Sequence, residues 1–198
     1  MNENLYNYLL ENNFLTHGIG EINDKETYFK FESIIKTGGL MSLQQLKEKG
    51  INVHGKAYVS NYDSRTTSEN QISFFDPTLP EFKDRLLSKR YYYYLPFNPN
   101  VIFFIIDRTN IDLTQHKTKP FELDTNVGFC SIDNFKGIIA PSECAEYLNN
   151  IQKKYDICLP IYDFDFNITN DLNDINHKKI WKLVKEKVVV LLPLWYQW

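Results

Sequence analysis

Residues 101–106 of this chain read Val-Ile-Phe-Phe-Ile-Ile, six consecutive apolar residues with no polar interruption. A short apolar run rich in β-branched and aromatic side chains predicts a strand that is covered on both faces. A strand of this kind lies in the interior of a sheet rather than at its edge. We therefore expect the fold to be built around residues 101–106.

Weaker patterns on either side of this run predict further strands and helices. Short apolar or glycine-punctuated stretches predict strands over 14–18, 55–60, 72–75 and 138–140. Helical spacing of apolar residues predicts helices over 3–13, 28–37, 43–49, 80–90, 141–154 and 177–187. In the second of these we expect Phe29, Phe31, Ile34 and Ile35 on one side, with Gly38-Gly39 as the end of the helix.

The order of these elements indicates the fold class. Strands and helices do not alternate strictly, so the chain is predicted to be α+β, with a central mixed or antiparallel sheet flanked by helices. No stretch has the composition of an interdomain linker, and 198 residues suit one domain. We expect residues 1–198 to form a single domain.

Composition narrows the classes of function. Lys and Arg number 22 against 25 Asp and Glu, so the net charge of −3 disfavours a general nucleic-acid scaffold. No apolar run approaches the roughly 20 residues that cross a bilayer. Residues 1–15 lack the basic and apolar regions of a signal peptide. The sequence predicts a protein of the cytoplasm, or one delivered into a host cytoplasm.

Several chemical motifs are missing from the sequence. There is no GxxxxGK[ST], GxGxxG, HExxH or GxSxG pattern, which disfavours the common NTPases, dinucleotide-binding dehydrogenases, zincins and α/β-hydrolases. The four histidines show no paired ligand spacing, so no metal is expected. Cys130, Cys144 and Cys158 form no CxxC pair and are interpreted as reduced core residues.

His17 is the most informative single residue, because it lies within an apolar strand and is followed by a glycine that lets a ligand approach the backbone. The stretch Thr16-His17-Gly18 precedes a helix that ends in Gly38-Gly39-Leu40. A further stretch, Gly55-Lys56-Ala57-Tyr58-Val59-Ser60, follows about 40 residues after His17.

This ordered set resembles the NAD-dependent ADP-ribosyltransferase family, in the branch of diphtheria toxin and the poly(ADP-ribose) polymerases. The resemblance covers residues 14–62, and the strands at 101–106 and 137–141 fit more loosely. It implies a sheet that is split around an NAD cleft. It also implies an enzyme that releases nicotinamide from NAD and transfers ADP-ribose to a macromolecule, a protein or a nucleic acid.

The resemblance implies roles for individual residues. His17 would hydrogen-bond the adenosine ribose, the Gly18 backbone would hold the nicotinamide carboxamide, and Tyr58 would stack on the nicotinamide ring. Ser60 and Tyr62 would be neighbours in the same pocket. An aromatic face suits a flat ring, and exposed backbone groups suit an amide.

The family also uses a glutamate that stabilises the positive charge developing as nicotinamide leaves. The sequence departs from the pattern here, because the strand that begins at Lys136-Gly137 has glycine where a glutamate would begin it. Glu122 is favoured, since the loop ahead of the last strands often holds this residue. Glu143, just after the strand, is the other candidate.

Two other interpretations stay open. A tRNA 2′-phosphotransferase-like enzyme shares the fold but needs basic residues around a phosphate, and arginine is scarce near the two motifs. A non-catalytic NAD-binding or protein-interaction domain would keep His17 and Tyr58 without an acid. Abundant Asn, Lys and Ile suggest an AT-rich genome, a source that would suit a toxin, a phage protein or an effector of this family, and composition does not choose among the three.

Overall fold

The computed structural model describes most of the chain between residues 3 and 169. The described residues are 3–52, 71–79, 82, 100–111, 116–119, 122–125, 128–165 and 167–169, with 116–119 and 122–125 described in their backbone only. The predicted strand over 55–60 and the predicted helices over 80–90 and 177–187 lie outside them.

The described structure contains every helix and strand predicted within its residues, together with five strands that were not predicted. The helices are α1 (Glu3–Glu11), α2 (Lys25–Thr37), α3 (Leu43–Glu48) and α4 (Ala145–Lys154). The strands are β1 (Phe14–Glu21), β2 (Gly39–Met41), β3 (Ile72–Phe75), β4 (Val101–Asp107), β5 (His116–Lys119), β6 (Glu122–Thr125), β7 (Phe129–Ser131), β8 (Phe135–Ile139) and β9 (Ile161–Tyr162). Short 3-10 turns follow β4, β7 and β8, at Arg108–Asn110, Ile132–Asn134 and Ser142–Cys144.

One large sheet organises the described part of the chain. Its order is β5-β6-β3-β1-β4-β8-β9, and every neighbouring pair is antiparallel except β8 and β9. A second, two-stranded sheet pairs β2 with β7. The architecture is therefore α+β with a mostly antiparallel sheet, as predicted. The six apolar residues at 101–106 are fully buried in the interior strand β4, which also agrees with the prediction.

Each face of the sheet is covered by a separate apolar cluster. On one face Leu15, Phe74 and Phe104 pack with residues of α2 and α4. Phe31 of α2 stacks on Phe104 with ring centroids 5.4 Å apart. On the other face α1 packs through Leu5, Tyr6 and Leu9 against residues such as Phe75, Phe103 and Ile105.

Local capping fixes the ends of α2. The Asp24 carboxylate accepts a hydrogen bond from the backbone N–H of Glu26, so the helix begins at Lys25 rather than at the predicted residue 28. Gly38 ends it in the left-handed conformation, with φ of 77°, as the glycine pair predicted. The prediction for Phe29 is wrong, since its side chain is 47% exposed and the buried positions are Thr27, Phe31 and Ile35.

Two further expectations need correction. Strands β5 and β6 pair antiparallel and were not predicted, because their residues are polar and β6 is supported by main-chain pairing with β3. Cys130 and Cys144 are buried, but Cys158 is exposed and is not a core residue. It lies in the extended segment between α4 and β9, where the chain crosses the surface.

Candidate functional site

The main-chain pairing of β1 with its two neighbouring strands is unequal around His17. Strand β1 pairs with β4 along its whole length, from Phe14 to Glu21. On its other side the recorded pairing with β3 is confined to Thr16 and Phe75. The main-chain ladder between β1 and β3 therefore stops at Thr16, one residue before His17, the position where the sequence predicted a ligand-binding histidine.

A side-chain hydrogen bond bridges β1 and β3. His17 Nδ1 lies 2.8 Å from the carbonyl oxygen of Ser73 on β3. A carbonyl only accepts hydrogen bonds, so Nδ1 carries the proton and donates it. The ring also contacts Phe74 edge to face, with centroids 5.8 Å apart. These two contacts fix the orientation of the imidazole.

The protonation state of His17 follows from its surroundings. Burial lowers the pKa of His17 below its usual value of 6.5, and the nearby Lys30 ammonium lowers this pKa further. The hydrogen bond to Ser73 opposes these effects without cancelling them. The imidazole is therefore neutral near pH 7. With its proton on Nδ1, a neutral ring keeps Nε2 as an acceptor for a hydroxyl group.

Strand β1 is irregular immediately after His17. Its register against β4 shifts between Gly18 and Gly20, so Ile19 occupies a β-bulge. Gly20 has φ of +146°, and a Cβ there would collide with Thr27 Oγ1 on α2. The bulge and the first turns of α2 are thus in close contact, which only glycine at position 20 permits.

Lys30 is the cationic residue at this bulge. Its Nζ donates to the carbonyl oxygen of Ile19 at 3.3 Å, and the side chain is partly buried. Neither Lys30 nor Ser73 was predicted from the sequence. The contribution of Ser73 is a main-chain carbonyl, which every residue type carries, and Lys30 had no pattern that separated it from other lysines of an amphipathic helix.

The ends of β3 and β4, the two strands that flank β1, are tied together. The buried Asp76 carboxylate accepts hydrogen bonds from the backbone N–H and hydroxyl of Thr78, at 2.9 and 2.7 Å. Its other oxygen lies 3.0 Å from Arg108 Nη1. Because Asp76 follows β3 and Arg108 follows β4, this ion pair holds the flanking strands in position around β1.

The described residues bring together only part of the predicted site. His17 and Gly18 are adjacent in β1. Tyr58, Ser60 and Tyr62 lie outside the described residues. The functional contribution of these three positions stays a prediction.

Glu122 is placed differently from the sequence-based expectation. It was expected in a loop, but it is the first residue of β6. Its backbone is in register with Phe75, which is in register with Thr16. Consecutive rows of a sheet belong to opposite faces. Glu122 is therefore in the same cross-strand row as Thr16. His17 is in the next row, which belongs to the opposite face of the sheet.

Glu143, the other candidate acid, is exposed in the 3-10 turn Ser142–Cys144 that follows β8. Strand β8 is separated from β1 by β4. Glu143 acts electrostatically on Tyr28 of α2, where with burial it contributes to raising the pKa of that phenol.

Comparisons with models of protein families, with curated proteins and with solved structures give no match. Within the described ranges, no group of three or more His, Cys, Asp or Glu side chains is arranged to hold a metal ion. In that same part of the chain, no helix has the length and apolar character needed to span a membrane.

Proposed function

We propose that this protein is an NAD-dependent mono-ADP-ribosyltransferase with an ADP-ribosyltransferase-like fold, whose sheet is split around the NAD cleft. One observation supports this most directly. The main-chain ladder between β1 and β3 stops beside the histidine of the Thr16-His17-Gly18 stretch, and the imidazole is fixed there by its hydrogen bond to Ser73. The resemblance of residues 14–62 to the family supplies the rest of the argument.

In this proposal His17 Nε2 accepts a hydrogen bond from a hydroxyl of the adenosine ribose, since Nδ1 is already used. The Gly18 backbone holds the nicotinamide carboxamide, and Tyr58 stacks on the nicotinamide ring with Ser60 and Tyr62 beside it. The bond between the ribosyl C1′ and the nicotinamide nitrogen breaks, and nicotinamide leaves with the electron pair. A nucleophile on a protein or nucleic-acid target attacks C1′ and loses its proton.

The carboxylate of Glu122 is proposed to stabilise the positive charge that develops at the ribosyl carbon. Its row in the sheet differs from that of His17, so the proposal requires that the carboxylate reach the cleft from β6. This same observation favours the non-catalytic alternative, in which the chain binds NAD or a protein partner without turning NAD over.

The test is nicotinamide release from NAD by the purified protein. We expect release by the wild type and loss of about a hundredfold or more in His17→Ala, Tyr58→Ala and Glu122→Gln. Glu143→Gln is the matched control, and it should retain wild-type release. Loss of nicotinamide release in Glu143→Gln, with release retained in Glu122→Gln, would assign the catalytic carboxylate to Glu143 instead of Glu122.

Two further measurements on the same purified protein distinguish the two alternative functions. NAD binding measured by calorimetry without any release would support the non-catalytic domain. Lys30, as a cation beside His17, favours the tRNA 2′-phosphotransferase-like alternative. Removal of the 2′-phosphate from a phosphorylated RNA, with no release from NAD alone, would support that enzyme. Neither release nor NAD binding would overturn the proposal and its site residues.

A further inference from the structure

The ammonium group of Lys30 is positioned by the bulge of β1. Lys30 lies in the second turn of α2, and its Nζ is held by the carbonyl of Ile19, two residues after His17. His17 contacts Phe74, which belongs to the apolar cluster on the α2 side of the sheet. Lys30 and His17 are therefore on the same side of the sheet.

The hydrogen-bonding capacity of Lys30 is only partly used. An ammonium group has three N–H donors, and within the described residues one is directed to Ile19. The described ion pairs of the chain join Asp76 with Arg108, Asp107 with Lys136 and Glu32 with Lys154. In this part of the chain no carboxylate neutralises Lys30, although carboxylates outnumber cations overall.

We propose that Lys30 binds a phosphate group of the nucleotide whose ribose His17 holds. The proposal rests on the function proposed above. A partly buried ammonium with unused donors is a favourable partner for a phosphate oxygen, because charge-assisted hydrogen bonds are stronger than neutral ones. The neutral imidazole contacts a hydroxyl, and the cation beside it contacts the anion attached to the same ribose.

Such a nucleotide has two phosphate groups of the kind that Lys30 would bind. One is the diphosphate that joins the two riboses of NAD. The other is a phosphate on the 2′-hydroxyl of the adenosine ribose, as in NADP. Both present anionic oxygens to Lys30, and they differ in the ligands whose binding depends on the lysine.

The experiment measures binding of adenosine, ADP-ribose and 2′-phospho-ADP-ribose to the full chain by calorimetry. We expect Lys30→Gln to weaken the binding of at least one of the two phosphorylated ligands about tenfold or more and to leave adenosine binding unchanged. Lys30→Arg should retain most of the affinity. Lys36→Gln is the matched control, because Lys36 is an exposed lysine on the same helix. Thermal denaturation of each variant verifies that it folds.

The two phosphate sources give different results. If Lys30 contacts the diphosphate, Lys30→Gln weakens both phosphorylated ligands by the same factor. If it contacts the 2′-phosphate, the loss is larger for 2′-phospho-ADP-ribose. The affinity of the wild type should also fall more steeply with added salt than that of Lys30→Gln.

Equal effects of Lys30→Gln and Lys36→Gln on both ADP-ribose and 2′-phospho-ADP-ribose would overturn the inference, as would wild-type binding of both phosphorylated ligands no tighter than that of adenosine. Nicotinamide release, measured in parallel, separates this from the failure of the proposed function. Lys30-dependent binding without release keeps the phosphate subsite and removes the transferase activity. Nicotinamide release whose KM for NAD does not depend on Lys30 keeps the transferase activity and removes the phosphate subsite.

Discussion

The imidazole of His17 on β1 donates from Nδ1 to the main-chain carbonyl of Ser73 on β3, at 2.8 Å. This contact lies one residue beyond the last main-chain pair of the two strands. A side-chain hydrogen bond thus continues the contact between the two strands where their main-chain ladder stops. The arrangement holds β3 close to β1 while leaving the other ring nitrogen for a ligand.

The burial of His17 predicts a pH dependence of stability. Its pKa in the folded protein is below the unfolded value of 6.5. The unfolded chain therefore binds the proton more readily, and stability is lost as pH falls below 6.5 towards the folded pKa. His17→Gln, which cannot titrate, should show a weaker loss of stability over this range. Urea denaturation of both proteins between about pH 5 and pH 7.5 measures this difference. Parallel curves for the two proteins would contradict the assigned shift.

The bulge of β1 predicts an unequal effect of two glycine substitutions. Gly20→Ala places a methyl group against Thr27 Oγ1 at a φ of +146°. Gly38→Ala also adopts a positive φ, of 77°, but its methyl group meets open space. We expect Gly38→Ala to cost about 1–2 kcal/mol and Gly20→Ala at least about 2 kcal/mol more. Chemical denaturation compares the two, and equal losses would show that α2 does not pack closely on the bulge.

The buried ion pair beyond β3 predicts a strong dependence on Arg108. In Arg108→Met the Asp76 carboxylate stays buried without its cation, and we expect a loss of about 3 kcal/mol in the free energy of unfolding. Lys136→Met is the matched control, because its 3.4 Å pair with Asp107 is more exposed and should contribute less than about 1 kcal/mol. Similar losses in the two variants, measured by denaturant titration, would argue against a buried role for Asp76.

The three cysteines predict a distinct pattern of thiol reactivity. Burial raises the pKa of the Cys130 thiol to about 11 and that of the Cys144 thiol to about 12, whereas Cys158 is exposed. A disulfide reagent near neutral pH should therefore modify one thiol of the native protein quickly and all three after unfolding. Cys158→Ser is the control and should abolish the fast phase. Fast reaction of two or more native thiols would be inconsistent with the buried positions of Cys130 and Cys144.

The strongest sequence signals were the most accurate. The uninterrupted run at 101–106 predicted an interior strand, and the Gly38-Gly39 pair predicted the end of α2, because both signals depend on local chemistry. Strands β5 and β6 had no such signal, since they are polar and β6 is supported by main-chain pairing with β3, about 50 residues earlier. Phe29 was misplaced because residues two apart in a helix, such as Phe29 and Phe31, lie on nearly opposite sides and cannot both face the core.

The sequence by itself determined that the chain is α+β, that residues 101–106 are interior to the sheet, and that His17 and Gly18 stand out chemically. Only the tertiary structure decided what surrounds His17. The Ser73 carbonyl that fixes its tautomer is 56 residues away in sequence. Because this carbonyl belongs to the main chain, no side-chain pattern predicts the contact. Lys30 comes beside it through the docking of α2 on the bulge. Both contacts arise from how strands and helices pack, which local sequence patterns do not specify.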